Sequence, residues 1–522
     1  TYIFTTMILW NVLIVSLIAA QQNDAFDVLH YANSITVSDT SDVIRGRTQI
    51  TGVLTGPQDS LSVNLRGLTV DSIKAENQNI AFTHAQGVLQ FSTAALASVR
   101  DTAQIIIWYA GMPEDGLIIQ QNKYERKTFF ADNWPNRAQY WFPCQDDITD
   151  KASVSFSITA PCRYQVVANG VHTGMTNNLD GTCTTSFKEE VPIPTYCMVF
   201  GAAEFEVDYR YPGNGIPLSY WLYPEDSDDG QQEFQRAPEM LDYYRSRFGP
   251  YPFQQLRLVQ ASTMFGGMEN ASAIFFDEKR IGTGESIEII VAHEIVHQWF
   301  GNHITLGDWT HLWLSEGFAE YFGWQFYEHA GQLSRFRSLL RDYMNLYLKD
   351  STAHDRSIIV PQPDSLLSLI NTNTYYKGAY VLHMLRQYLG DHTFWKGFTR
   401  YARKYRGHTV ITEDFQQIME KVAGESLDWF FTQWVYQPGI PYLTIKSGWD
   451  NQSKELVLQV TQTQDGHVFR FPLSIGIDED QRKTVWIKDK HHTFSFHLDA
   501  QPAIVRYDPD FALLALINGK LR

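Results

Sequence analysis

The sequence predicts a multidomain α+β protein: an N-terminal all-β domain, a mainly helical central domain and a small C-terminal β-sandwich. Three observations predict it. From Asp27 to about Tyr209, short alternating or β-branched runs are broken by Gly, Pro, Asn and Asp. From about Gln231 to Gln437 the apolar spacing becomes helical. Beyond Gln437-Pro438-Gly439-Ile440-Pro441 the pattern returns to short strands between polar turns. A chain of 522 residues is too long for one core, and 44% hydrophobic with 19% charged residues is the balance of a folded protein.

Residues 1–22 carry no charge, and Met7–Ala20 (MILWNVLIVSLIAA) is a compact apolar run followed by Gln21-Gln22. This predicts a secretory signal, with a retained membrane anchor as the alternative, and hence an exported protein, periplasmic or extracellular. The β domain, residues 23–209, contains strand patterns such as Thr102–Tyr109 and Ala152–Ala160. Its four cysteines, Cys144, Cys162, Cys183 and Cys197, include no Cys-x-x-Cys, which argues against a cysteine metal cluster. Cys162 and Cys183 border strand-like runs; a disulfide between them and free buried thiols are both open.

The central domain, residues 210–438, begins at the break Tyr211-Pro212-Gly213-Asn214-Gly215. A strand-like Pro217–Tyr223 and an acidic loop, Glu225–Gly230, precede the helices, among them Ala379–Leu389 and Thr412–Val422. In the last domain, residues 439–522, strands are expected at Tyr442–Ile445, Leu456–Thr461, Phe469–Ile477 and Thr484–Ile487. A net charge of −16 argues against nucleic acid as partner and mildly favours cationic ligands such as a peptide ammonium or a metal ion.

Residues 293–297 read His-Glu-Ile-Val-His. Two histidines at i and i+4 project from one face of a helix. Glu316, on a second helical pattern from about Asp308 to His329, supplies a third ligand and leaves one position open, as a catalytic zinc requires. Glu294 stands beside the ion as a general base, and Glu320, one turn beyond Glu316, is placed to hold a ligand histidine. A pair of surface histidines that bind nothing is the bland alternative. Against it stand the apolar Glu285–Ala292 run before the motif and the helix stop Gly301-Asn302 after it.

Upstream lies Gly266-Gly267-Met268-Glu269-Asn270. Alone, a Gly-Gly pair marks a turn or a close backbone approach, and a lone Glu is usually solvated. Beside the zinc helix, the chain resembles the zinc aminopeptidases of the aminopeptidase N and leukotriene-hydrolase family, the gluzincin aminopeptidases. His293–Asn302 (HEIVHQWFGN) and Trp313–Ala319 (WLSEGFA) fit that family closely, with Ser315 where an Asn is usual. Tyr375-Tyr376-Lys377-Gly378 matches its Tyr-x-Lys-Gly segment, although by composition alone core aromatics next to a turn are the better reading of such a Tyr pair.

The resemblance implies a thermolysin-like catalytic domain in which a small sheet carries the Glu269 segment against the zinc helices. It implies one zinc per chain on His293, His297 and Glu316. Gly266, Gly267, Met268, Glu269 and Asn270 would line the substrate backbone, with Glu269 on the free amino terminus and Tyr375 on the oxyanion. Larger family members add a helical domain over the site; no C-terminal helical domain is expected here. A second acidic or amide anchor for the amino terminus is common in the family, but the count from Phe142-Pro143-Cys144 falls on Trp134, leaving Asp132 or Asn133 as substitutes. Phe265 hints at apolar or mid-sized first residues.

The expected activity is removal of the N-terminal residue from peptides with a free amino terminus, with Glu294 activating water and Tyr375 steadying the oxyanion. A zinc endopeptidase on the same scaffold, an epoxide-opening activity on lipids and a non-catalytic relative are the rivals. A membrane is a partner only if the leader is retained as an anchor, and nothing in the residues sets an oligomeric state.

Overall fold

The computed structural model describes residues 26–56, 59–75, 78–93, 102–211, 213 and 215–518. The expected leader, residues 1–22, lies outside the described residues. No helix among them is long and apolar enough to cross a membrane.

The amino-terminal region is built on an eight-stranded sheet. In spatial order its strands are Val171–Asn177, Thr182–Ile193, Ala152–Pro161, Phe26–Ser38, Ser41–Leu54, Ala103–Gly111, Thr69–Ala75 and Gln78–Asn79. Burial in Ala152–Pro161 alternates strictly, so one face packs on the core and the other meets water. This strand lies parallel to Phe26–Ser38, with Tyr31 opposite Val154 and Ile35 opposite Ile158. A four-stranded sheet (Gln165–Ala168, Phe200–Ala203, Lys127–Ala131, Leu117–Gln121) follows, and its Phe130 packs edge-on against Phe275 of the central region, ring centroids 5.5 Å apart. Cys162 and Cys183 are joined by a disulfide, while Cys144 and Cys197 are buried free thiols.

The central sheet has the order Glu206–Arg210, Leu218–Leu222, Leu256–Ala261, Ala273–Asp277, Gly267–Met268. Its three middle strands are mutually parallel and almost wholly buried, which requires cover on both faces. Gly267–Met268 pairs antiparallel with Phe276 and Phe275 and forms one edge. Glu206–Arg210 falls before the break expected to begin this domain, yet it pairs as a hairpin with Leu218–Leu222 and belongs to the central sheet.

The helices are α1 Ser227–Phe234, α2 Ala237–Phe248, α3 Glu288–His297, α4 Glu316–His329, α5 Leu333–Lys349, α6 Ser351–His354, α7 Gly378–Leu389, α8 Asp391–Lys404, α9 Thr412–Ala423 and α10 Asp428–Phe431. The acidic run Glu225–Gly230, expected as a loop, instead starts helix: Pro224 opens a 3-10 turn, and Asp228 and Asp229 occupy the first turn of α1, where the helix dipole favours negative charge. The helix expected from Asp308 to His329 is also divided. A 3-10 segment, Trp309–Leu314, is capped by Asp308 Oδ1 accepting from Thr310 N at 2.8 Å, and α4 begins only at Glu316. Rings of Phe300, Phe318, Phe322 and Phe398 form the core behind α3 and α4, with Phe322 and Phe398 centroids 4.5 Å apart.

Past Pro441 lie two sheets, His491–His497/Glu455–Gln462/Tyr442–Asp450/Leu516–Ile517 and Gln481–Ile487/Phe471–Ile477/Val505–Tyr507. Leu443, Leu458 and Val460 from one and Leu473, Ile475 and Ile487 from the other are buried. The buried Lys377 donates through Nζ to the carbonyls of Gln437, at 3.4 Å, and Gly439, at 3.1 Å, tying the central helices to the connection between the regions.

Candidate active site

Helix α3 places His293, Glu294 and His297 because its other face is apolar: Val291, Ala292, Ile295 and Val296 are buried in the core. Helix α4 crosses it closely at Gly323, where a Cβ would lie 3.4 Å from His293 N. At the start of α4, Gly317 meets Gly378 backbone to backbone; a Cβ on Gly317 would lie 2.8 Å from Gly378 C. This glycine-to-glycine contact seats the π-helical turn Asn373–Lys377, and with it Tyr375, beside Glu316.

Three acceptor atoms converge. His293 Nε2 lies 3.0 Å from His297 Nε2, and each lies 3.3 Å from Glu316 Oε2. The opposite nitrogens are engaged. His297 Nδ1 is 3.0 Å from the Phe300 carbonyl, which can only accept, so the proton sits on Nδ1 and the Nε2 lone pair faces the triangle. Ser315 Oγ also lies 3.0 Å from His297 Nδ1 and donates to the same carbonyl. His293 Nδ1 is 3.8 Å from Glu320 Oε1, whose other oxygen accepts from Trp324 Nε1 at 3.0 Å. At 3.8 Å Glu320 is a charge neighbour of His293 and not its hydrogen-bond partner. Lone pairs gathered without a donor fit a cation. Bonds of about 2.0–2.1 Å in a tetrahedral zinc site set ligand atoms roughly 3.3 Å apart, which is the size of this triangle.

Burial would raise the Glu316 carboxyl, but the His297 and His293 imidazoles outweigh it and hold it at about 2. Burial would lower His297, yet without an ion in the triangle Glu316 and Glu269 raise it to about 10; the same carboxylates favour positive charge there, and a bound cation would replace that proton and leave the Nε2 lone pair as its ligand. Burial lifts Glu294 to about 8 against the pull of His293 and His297, and a cation held by the neighbouring triad would draw it back down toward the carboxylate form that a base requires. Burial, then the Glu316 and Glu269 carboxylates, push the Tyr375 phenol far up, so it remains a proton donor.

These groups line one cavity of about 570 Å³, within the range of small-ligand sites. Gly266, Gly267, Met268 and Glu269 form its wall along the edge strand, and Glu294, His293, His297, Glu316, Tyr375 and Tyr376 its floor and side. Glu269 is 6% exposed, and its carboxyl is raised by burial despite the nearby His297. Its backbone carbonyl accepts from Gln298 Nε2 at 2.8 Å and Asn302 Nδ2 at 2.6 Å. The bare backbone of Gly267 is needed because Glu294 lies against it: a Cβ there would stand 2.7 Å from Glu294 Cδ.

Asn270, expected along the substrate, does not line the cavity; it is fully buried in the turn after Glu269, its carbonyl accepting from Ala273 N at 3.0 Å. Neither candidate for a second anchor lines the cavity. Asp132 is paired with Arg137 and accepts from Met264 N at 2.8 Å and Thr263 Oγ1 at 2.9 Å. Asn133 accepts from Trp141 Nε1 at 2.7 Å and donates to the Met198 carbonyl at 2.6 Å. Trp134, the residue on which the count falls, is the one in the wall, its ring 5.7 Å from that of Phe265. Lining residues that the motifs did not point to are Arg280, Ile289, Ile290, Tyr343, Ile370 and the pair Asn371-Thr372. Ile289 and Ile290 carry a legible signal, since they precede His293 by one helical turn.

The amino-terminal sheets brace this wall from behind. Asn169 Nδ2 donates to the Ala271 carbonyl at 2.6 Å, Gly170 N donates to Ser272 Oγ at 2.8 Å, and Ser272 N donates to Gln298 Oε1 at 2.9 Å.

Edge strand, helix pair and donor triad together define a metallopeptidase-type architecture. Residues 28–197 match the Peptidase M1 N-terminal domain and residues 232–434 the Peptidase family M1 domain. The chain belongs to peptidase family M1. Among its relatives, glutamyl aminopeptidase of Bos taurus is 28% identical over 70% of this chain and 40% of its own length. Aminopeptidase A of Gloydius brevicauda is 30% identical over 60% of this chain and 35% of its own length. The chain thus spans about two fifths of the length of these curated relatives. The crystal structure of Legionella pneumophila aminopeptidase A in complex with aspartic acid shares the fold, with a TM-score of 0.81 at 17% identity, covering 95% of this chain and 60% of that one.

Proposed function

We propose that the chain is a zinc metallo-aminopeptidase that removes the N-terminal residue from peptides. The observation that carries this is the buried Glu269 facing the same cavity as the donor triad of His293, His297 and Glu316. A buried acid in the wall beside the triad would hold a free ammonium, so that the first peptide bond is the one in register with the triad. The five-stranded sheet with Gly267–Met268 at its edge supports a thermolysin-like catalytic unit for about residues 210–438. The two sheets beyond support a β-sandwich over residues 439–522, and the eight-stranded sheet supports a β domain over residues 23–209.

His293, His297 and Glu316 would hold one zinc ion, which when bound supplies Lewis acidity toward the scissile carbonyl and acidifies the attacking water. Glu294 accepts the proton of that water and hands it to the departing amine. Its place against Gly267 keeps the carboxylate beside the peptide track. Tyr375 donates its phenolic hydrogen to the oxygen that gains charge. Trp134, Phe265 and Met268 next to Glu269 offer apolar walls to the first side chain, which favours uncharged residues there even though several relatives are named glutamyl aminopeptidases. The Cys162–Cys183 disulfide, together with the apolar leader, supports export.

A panel of aminoacyl-arylamides, with and without chelator, tests the assignment; hydrolysis that survives complete metal removal would overturn it. Glu269→Ala is expected to cost aminopeptidase turnover far more than metal content. N-acetylated peptides resist cleavage on this reading, and their ready hydrolysis would favour an endopeptidase.

A further inference from the structure

The cavity is electrostatically divided. Three carboxyl groups, Glu269, Glu294 and Glu320, join the triad's own Glu316 in the lining, and one Lys or Arg side chain, Arg280, lines it with them. Arg280 lies just beyond the strand Ala273–Asp277 that pairs with the edge strand, its backbone N donating to the Asp277 carbonyl at 2.9 Å. Its guanidinium lies over Gly266: a Cβ there would meet Nε at 3.1 Å and Cζ at 3.4 Å. The side chain is exposed, and no ion pair among the described residues engages it.

Strand direction decides which part of a substrate would meet it. The edge runs from Gly266 towards Glu269, its inner side paired with Phe275 and Phe276 and its outer side open to the cavity. A peptide held by its ammonium at Glu269 therefore runs back along this edge as an added antiparallel strand, past Gly267 and then Gly266. Gly266 is three residues from Glu269, about 10 Å at the rise of a β-strand. An extended tripeptide spans about the same distance from ammonium to carboxylate.

We propose, building on the aminopeptidase reading, that Arg280 binds a carboxylate on the leaving-group side of the scissile bond, two to three residues from the amino terminus, so that short acidic-ended peptides are gripped at both ends. The carboxylate is the C-terminal group of a tripeptide or the side chain of an acidic residue at the second or third position. In either case Arg280 selects among leaving groups and has no part in the chemistry.

The test compares trialanine, trialanine amide and the amides of Ala-Ala-Glu and Ala-Glu-Ala, by turnover with the wild-type protein and by calorimetric binding to Glu294→Gln, each with and without Arg280→Ala. Charge-assisted pairing predicts that the carboxylate-bearing peptides exceed trialanine amide by about tenfold or more, and that Arg280→Ala brings the ratio near one. Arg280→Lys restores part of it. A preference confined to trialanine assigns the terminal carboxylate, and one confined to the glutamyl peptides assigns the side chain. Equal binding of all four peptides to the Arg280-containing protein overturns the proposal. A loss on Arg280→Ala confined to glutamyl-arylamide, with no leaving-group carboxylate, would also overturn it by moving Arg280 to the first residue. If no peptide is cleaved while the binding preference persists, the aminopeptidase reading fails and the Arg280 site stands.

Discussion

Glu294 lies flush against the α-carbon of Gly267, so closely that a methyl group at that carbon would overlap the carboxylate. The edge strand and the proposed general base are therefore fitted to one another. Gly267→Ala forces Glu294 aside by a fraction of its own width. Displacements of about 1 Å can cost roughly a hundredfold in rate. The expected result is such a fall in kcat with the metal content unchanged. Measuring both on one preparation checks it, and normal kcat would show that Glu294 has slack.

Glu294→Gln removes a proton acceptor and keeps the shape. Zinc content by metal analysis should stay at one per chain, since the proposed ligands are His293, His297 and Glu316, while turnover drops by about 10²–10⁴-fold. Loss of metal along with activity would instead place Glu294 among the ligands.

Tyr375 and Tyr376 differ in surroundings. The Tyr375 ring lies parallel to His293, centroids 6.2 Å apart, with its phenol beside Glu316, whereas Tyr376 packs on Tyr343 at 4.9 Å. Tyr375→Phe should lower kcat by about 10²–10³-fold with little change in KM, as for loss of one oxyanion donor. Tyr376→Phe should cost much less. Reversal of that order in steady-state kinetics would exchange the two assignments.

Lys377 gives a pH signature of stability. Burial pushes its ammonium down to about 7 from an ordinary 10.5. Between those values the unfolded chain binds the proton and the folded chain does not, so stability rises with pH across that window and is lost again as pH falls through about 7. The melting-temperature difference between wild type and Lys377→Met should accordingly grow in favour of wild type from neutral towards alkaline pH. A difference flat with pH would rule this out.

The convergence of the candidate ligands is legible in the sequence because its geometry is local. His293 and His297 are neighbours by helix period alone, and Glu316 needs only a second helix. The alternation of Ala152–Pro161 is similarly readable, since its burial depends on period and not on partner. Features that depend on distant pairing cannot be read in this way. The break between the 3-10 segment and α4 occurs where Ser315 turns its hydroxyl to His297 and Phe300, a contact across chain that periodicity ignores. The acidic run at Glu225–Gly230 looks like a loop by composition but forms a helix start, because Pro224 and the helix dipole suit those acids. Asn270 looks like part of the substrate track only by adjacency to Glu269, and the turn after Glu269 takes it out of the cavity.

The hydrogen bonds from Asn169 and Gly170 to Ala271 and Ser272 have a practical consequence for anyone dissecting the molecule. The amino-terminal half is not cargo that can be trimmed to leave a minimal catalyst. On the proposed reading, excision would free the peptide segment just downstream of Glu269 and loosen its aim, so a shortened version would keep its metal ligands and still lose its sense of where a chain begins.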